Sequence, residues 1–346
     1  MGLDKRRLAK AGAAVLAGLS LTTCSTSAGG TAAPTATTSS NATSPVHLFY
    51  SANNMDPTAI TAGPDGNLWF TDAASPDGIG QITPTGLIAE YTNPSLNSPT
   101  DISTGPDGAL WFTNLGTKSV NTRGSIGRIT PTGKFTNFTG SYVEMPNSIT
   151  RGPDGNLWFT DDLGVSRMTP QGAIKFFSTA GFGSSNEDIT KGPDGNLWLA
   201  SAGIKAGNIV RITPSGLMTK FTDAGIATPL GITTGPDGNL WFTNATSDIS
   251  VHPAIGRITP TGTITLFTDP RLNTPRGITG GPDGNLWFTD EAVNSIGRVT
   301  PAGVFTYFKI YGAGRPTHLA IGPDGNVWFT YPSLSIRGGI GRFTIS

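Results

Sequence analysis

The chain has 346 residues with 23 basic and 23 acidic side chains, so no net charge draws it to nucleic acid or to an anionic surface. Gly and Pro supply 47 and 26 residues, well above ordinary usage, which favours short strands and tight turns over helices. The single cysteine, Cys24, precedes everything that reads as folded, and this excludes a disulfide or a thiolate metal site in the folded part.

Residues 1–24 read as an export signal. Lys5, Arg6, Arg7 and Lys10 precede an apolar stretch over 11–21, which is shorter than the ~20 apolar residues a membrane-spanning helix needs. The segment ends in Leu21-Thr22-Thr23-Cys24, which is similar to a bacterial lipobox, although Thr23 stands where a smaller residue is usual. Lipidation of Cys24 is therefore expected, with export and anchoring at the outer side of the cell membrane and no other membrane contact; the alternative is ordinary signal cleavage nearby, which leaves a secreted protein. Residues 25–45 are Ser, Thr, Ala, Gly, Pro and Asn without one large apolar side chain. Such a tract cannot bury enough surface to offset its ordering entropy, and it reads as a disordered tether.

From residue 46 onward the chain is an array. The run Gly-Pro-Asp-Gly-Asn-Leu-Trp-Phe-Thr starts at Gly63 and returns, lightly edited, at Gly105, Gly152, Gly192, Gly235, Gly281 and Gly322. It holds every tryptophan of the protein: Trp69, Trp111, Trp158, Trp198, Trp241, Trp287 and Trp328. A period of ~40–47 residues indicates a propeller or solenoid.

Each unit divides into four strands. Strand a, such as Asp101-Ile102-Ser103-Thr104, leads into the Gly-Pro-Asp-Gly turn, where Pro presets φ and Gly takes φ > 0. Strand b is Asn-Leu-Trp-Phe-Thr, apolar on both faces as a sheet stacked on both sides requires. A variable loop leads to strand c, Ile-Gly-Arg-Ile-Thr at 126–130 and 255–259, then a Pro-x-Gly turn and an alternating strand d. Seven such units predict an all-β, seven-bladed β-propeller over 46–346. The last unit has no strand d, whereas Val46-His47-Leu48-Phe49-Tyr50 has no unit before it. Residues 46–50 are therefore expected to complete the seventh blade.

Both tight turns fall at one end of every blade, so the variable b–c loops and d–a connections share the other end, where propellers usually bind. Regularly repeated residues, namely the seven turn aspartates and the six strand-c arginines Arg128, Arg167, Arg211, Arg257, Arg298 and Arg342, read as scaffold. Residues that differ are the better candidates. The position after strand b offers Asp72, Asn114, Asp161, Asn244 and Asp290. The entries to strand a offer Glu187, Asp188, Arg276, Arg315 and His318. With Asp161, Glu187 and Asp188 in blades 3 and 4, and Arg276, Arg315 and His318 across the ring, a funnel with one acidic and one basic wall is expected. His318 is the candidate for catalysis. No metal site is expected, because His47, His252 and His318 share no ligand spacing. No nucleophile elbow, P-loop or dinucleotide fingerprint occurs.

Taken together, Ile-Thr-x-Gly-Pro-Asp-Gly-Asn-Leu-Trp-Phe-Thr followed by Ile-Gly-Arg-Ile-Thr-Pro-x-Gly resembles the virginiamycin B lyase (streptogramin lyase) family over residues 46–346. The resemblance implies a seven-bladed propeller and, for true members, magnesium-assisted opening of a cyclic depsipeptide by elimination at its ester. It also implies a histidine after the proline before strand a of blade 6. Before strand a of blade 7 it implies a second Pro-His preceded by glutamate. Here the first position is Arg276, the glutamate position Arg315 and the second histidine position Thr317. An elimination needs a base and an electrophile, and arginine supplies no base at neutral pH. The chain therefore reads as a monomeric binding module for a small molecule, a peptide or a cell-envelope component. The alternative is a lyase, or an enzyme of another small ester or lactone, with a relocated site.

Overall fold

The computed structural model describes residues 45–116, 123–183, 185–203, 206–246, 251–332 and 337–345, with the backbone of Thr37–Ser39. The export segment, Cys24 and most of the tract 25–45 lie outside the described residues. Among the described residues every regular element is a strand. Seven antiparallel sheets follow one another, six of four strands and one of five. Their a strands are Pro57–Ala62, Pro99–Thr104, Ile149–Arg151, Ser185–Lys191, Thr228–Thr234, Pro275–Gly280 and Leu319–Ile321. Successive a strands touch in an unbroken cycle, the last against the first, so the sheets close a ring as the repeat predicts.

The repeated nonapeptide packs each blade. Its tryptophan is buried in all seven, and in six blades it stacks on an aromatic ring of strand d, as Trp69 does on Tyr91 with centroids 5.5 Å apart. A buried indole must place its N–H, and the turn aspartate four residues earlier takes it: Trp111 Nε1 donates to Asp107 Oδ1 at 2.9 Å. The strand-c arginine lies over the same indole, Arg257 5.7 Å from the Trp241 centroid. Its far end donates into the next blade, Arg167 to the Pro214 carbonyl at 3.0 Å and Arg211 to that of Pro260 at 3.1 Å. Turn aspartate, tryptophan and arginine thus form one device that packs a blade and ties it to its neighbour.

The ends close the ring. Val46–Tyr50 pairs antiparallel with Gly339–Phe343, Phe49 stacks on Trp328 at 5.3 Å, and Arg342 donates to the Pro84 carbonyl of blade 1 at 2.9 Å. One detail departs from expectation: within the tract read as a tether, Thr37–Ser39 runs as a fifth strand against Leu48, Phe49 and Tyr50. The outer edge of a blade presents unpaired backbone groups, and an extended segment can pair with them through its own backbone.

Inside the ring, a threonine near the end of strand b joins neighbouring blades. Thr243 Oγ1 accepts from the Gly231 amide at 2.8 Å and donates to the Arg276 carbonyl of the next blade at 2.6 Å. Thr330 does the same between His318 at 3.2 Å and Thr58 of blade 1 at 3.0 Å. Blade 4 carries Ala200 at this position, and Asp188 bridges it to both neighbours instead.

Candidate functional site

Four residues before each Gly-Pro-Asp-Gly turn, the chain reaches the axis. Counting back gives Ala59, Asp101, Ser148, Asp188, Gly231, Gly277 and His318. In five blades the a–b ladder slips at or beside this point, for instance between Pro99 and Ile102, and such slips re-aim side chains. Blades 5 and 6 offer only glycine here. A Cβ on Gly231 would stand 2.5 Å from the Arg276 carbonyl oxygen, and one on Gly277 2.9 Å from that of Thr317. The centre is left to the four polar residues.

Ser148 Oγ lies 2.8 Å from Asp101 Oδ2 and 2.7 Å from Asp188 Oδ1. The carboxylates also accept backbone amides: Asp101 from Ile102 and from Ile149 of blade 3, both at 2.8 Å, and Asp188 from Ile189 at 2.8 Å and from Ile232 of blade 5 at 2.9 Å. Asp188 also interacts electrostatically with His318 of blade 7. One residue of blade 4 meets groups of blades 3, 5 and 7 only because all converge on the axis.

Burial pushes the Asp101 carboxyl up to about 6, against its hydrogen bonds from Ile149 and Ser148. Burial, and then the charge of Asp101, raise Asp188. His318 is held below the usual histidine range by burial, opposed by Asp188 and reinforced by Arg276, and its Nδ1 is buried without a hydrogen-bond partner. Serine, aspartate and histidine meet here, yet not as a nucleophilic triad. The hydroxyl is gripped by two carboxylates, not by the imidazole.

At the d–a end of blades 6 and 7, Glu291 is shared by two arginines. Arg276 Nη1 is 3.1 Å from its Oε2 and Arg315 Nη1 3.9 Å from its Oε1, with the arginine side chains 53% and 57% exposed. Thr317 turns away to Thr330, their hydroxyls 3.1 Å apart, while its neighbour His318 turns to the axis. Magnesium requires oxygen ligands. The carboxylate here stands between two guanidinium groups that repel a cation, so these residues do not fit that ion. Among the described residues no three His, Cys, Asp or Glu gather as metal ligands.

Five of the remaining candidates hold backbone amides of nearby loops. Asp72 accepts the amides of Asp56 at 2.7 Å and Ala74 at 3.0 Å, and burial pushes its carboxyl up to about 6. Asp161 takes Glu144 and Met145 at 2.9 and 3.1 Å, and Asp290 takes Asn273 and Thr274 at 3.0 and 2.8 Å. Asn114 takes Asn97 at 3.3 Å, and Asn244 takes Ala227 and Thr228 at 2.9 and 3.2 Å. All five are buried. Glu187 accepts from Ser185 Oγ at 2.6 Å. The expected acidic wall is therefore not assembled: Asp161 is spent on a loop, and Asp188 belongs to the axis. Sequence reasoning passed over Ser148 and gave Asp101 no role, although a count of four back from each turn marks both.

No curated protein matches the chain. A streptogramin B lyase structure is 30% identical, with a TM-score of 0.75 over 86% of this chain and 96% of that one. A catalytically inactive virginiamycin B lyase from Staphylococcus aureus, solved with quinupristin, is 32% identical, with a TM-score of 0.76 over 87% and 99%. The extracellular domain of a hybrid two-component system from B. thetaiotaomicron shares the fold at 18% identity, with a TM-score of 0.66 over 84% of this chain and 41% of that one. The model of the virginiamycin B lyase family matches residues 35–224 and 189–346, and the chain belongs to that family.

Proposed function

We propose that this propeller is an exported, lipid-anchored binding module of the cell envelope, which takes an anionic small molecule or peptide where Arg276 and Arg315 flank Glu291. The reading is carried by that pair. Two exposed guanidinium groups share one carboxylate, at positions where the family resemblance implies a histidine and a glutamate. A ligand carboxylate or phosphate can exchange with Glu291 and engage both forks. The signal at 1–24 and the matched fold of an extracellular domain support the location.

Lyase activity and binding are separated by two measurements on the purified protein. Incubated with a type B streptogramin and magnesium, it is expected to leave the ring intact by mass spectrometry. Titrated with a panel of carboxylate- and phosphate-bearing peptides, it is expected to bind some of them. Arg276→Ala or Arg315→Ala should weaken that binding by ~10-fold or more, with salt doing the same. Linearised antibiotic would overturn the reading in favour of a relocated site, for which His318 beside Asp188 is the available base. Binding indifferent to both arginines would remove the proposed mouth.

A further inference from the structure

We propose that Asp101 and Asp188 hold one proton between them across Ser148, forming a clasp over blades 2 to 5 that is tight in mild acid and loosens when the proton leaves. The argument is a proton count. Ser148 Oγ is within hydrogen-bond distance of both carboxyl groups, at 2.8 and 2.7 Å, yet a hydroxyl carries one proton. It donates to one carboxylate, so the other contact needs a proton that a carboxylic acid gives to the serine oxygen. With both groups ionised, that second contact would set lone pair against lone pair. The backbone amides of Ile102, Ile149, Ile189 and Ile232 occupy the same oxygens but supply no transferable proton.

The charged groups facing the pair do not replace the proton. His318 comes from blade 7, held below the usual histidine range by burial, with its Nδ1 buried and unpartnered, and Arg276 of blade 6 acts on His318 and pairs with Glu291. Burial also favours the protonated form of both carboxyls. The clasp sits where the ring needs it. Blade 4 has Ala200 in place of the bridging threonine, and the Asp188 carboxylate reaches blades 3 and 5 instead. Because the folded carboxyls titrate above their unfolded value, the stability they contribute is present in acid and is lost as pH rises through the folded pKa.

Aspartate labelled with carbon-13 at the carboxyl reads this directly. In the intact protein one carboxyl titration near neutrality is expected to disappear in both Asp101→Asn and Asp188→Asn and to persist in Asp72→Asn. The melting temperature should fall by several degrees between about pH 5 and about pH 8, and Asp101→Asn should remove part of that fall. Ser148→Ala should shift the midpoint. If Asp188→Asn does not fold, wild type against Asp101→Asn decides alone. A titration and melting profile unchanged by Asp101→Asn would overturn the clasp.

Discussion

At the scale of single residues, the position after strand b shows how one site serves one purpose with two chemistries. Blades 2 and 5 use Asn114 and Asn244 to hold the incoming loop, while blade 1 uses Asp72 for equivalent amide contacts. Burial raises the Asp72 carboxyl to about 6, so its stabilising contribution is complete in acid and lost as pH climbs past that value. Asparagine keeps the acceptor and has no charge to desolvate. Asp72→Asn is expected to raise stability by ~1–2 kcal/mol at about pH 8 and to change it little at about pH 4. Thermal melting at the two values checks this, and a loss at the higher pH would contradict the account. The sequence displayed this alternation of Asp and Asn as variation, the mark of a ligand-facing site. Only the hydrogen bonds reveal it as interchangeable scaffold.

At the scale of elements, the decisive strand is the one from the far end of the chain. Val46–Tyr50 was legible as a missing strand d, because its Leu-Phe-Tyr matches the alternation of strand d elsewhere and the last unit lacks one. Phe49 is 4% exposed and takes the place on Trp328 that strand-d aromatics take in other blades. Phe49→Ala should cost ~3–5 kcal/mol, since a large buried ring leaves a cavity. Deleting residues 46–50 should cost more, because it also strips a ladder from Gly339–Phe343. Calorimetry on both variants would show this, and a melting curve as sharp and as high as wild type after the deletion would refute ring closure by this strand.

At the scale of the whole molecule, two populations of aspartate pull stability in opposite directions. The turn carboxyls Asp65, Asp107, Asp154, Asp194, Asp237 and Asp283 are opposed by burial, but hydrogen bonds from the tryptophan indoles and nearby side chains outweigh it and hold them below their ordinary range. Their contribution is present above the unfolded value and lost as pH falls. Asp72, Asp101, Asp161, Asp188 and Asp290 are raised by burial, and theirs is lost as pH rises. The melting temperature should therefore peak on the acid side of neutrality, at about pH 5, and decline on both sides. A plateau extending unbroken from there into alkali would show that the buried carboxyls do not titrate as placed.

The period, the turn chemistry and the tryptophans determined the fold unaided, because each is a local requirement repeated seven times. A Gly-Pro-Asp-Gly turn, a two-faced strand and an indole N–H needing a carboxylate are satisfied within a few residues of one another. The closing strand was also readable, since a closed ring leaves no edge at the join. The site was not. Asp101, Ser148, Asp188 and His318 are separated by 47, 40 and 130 residues, and nothing local to any of them requires the others. Tertiary structure brought them together: seven inner strands meet at one axis, ladder slips beside Asp101 and Asp188 help to turn those two inward, and glycines in blades 5 and 6 leave the centre to these four polar side chains.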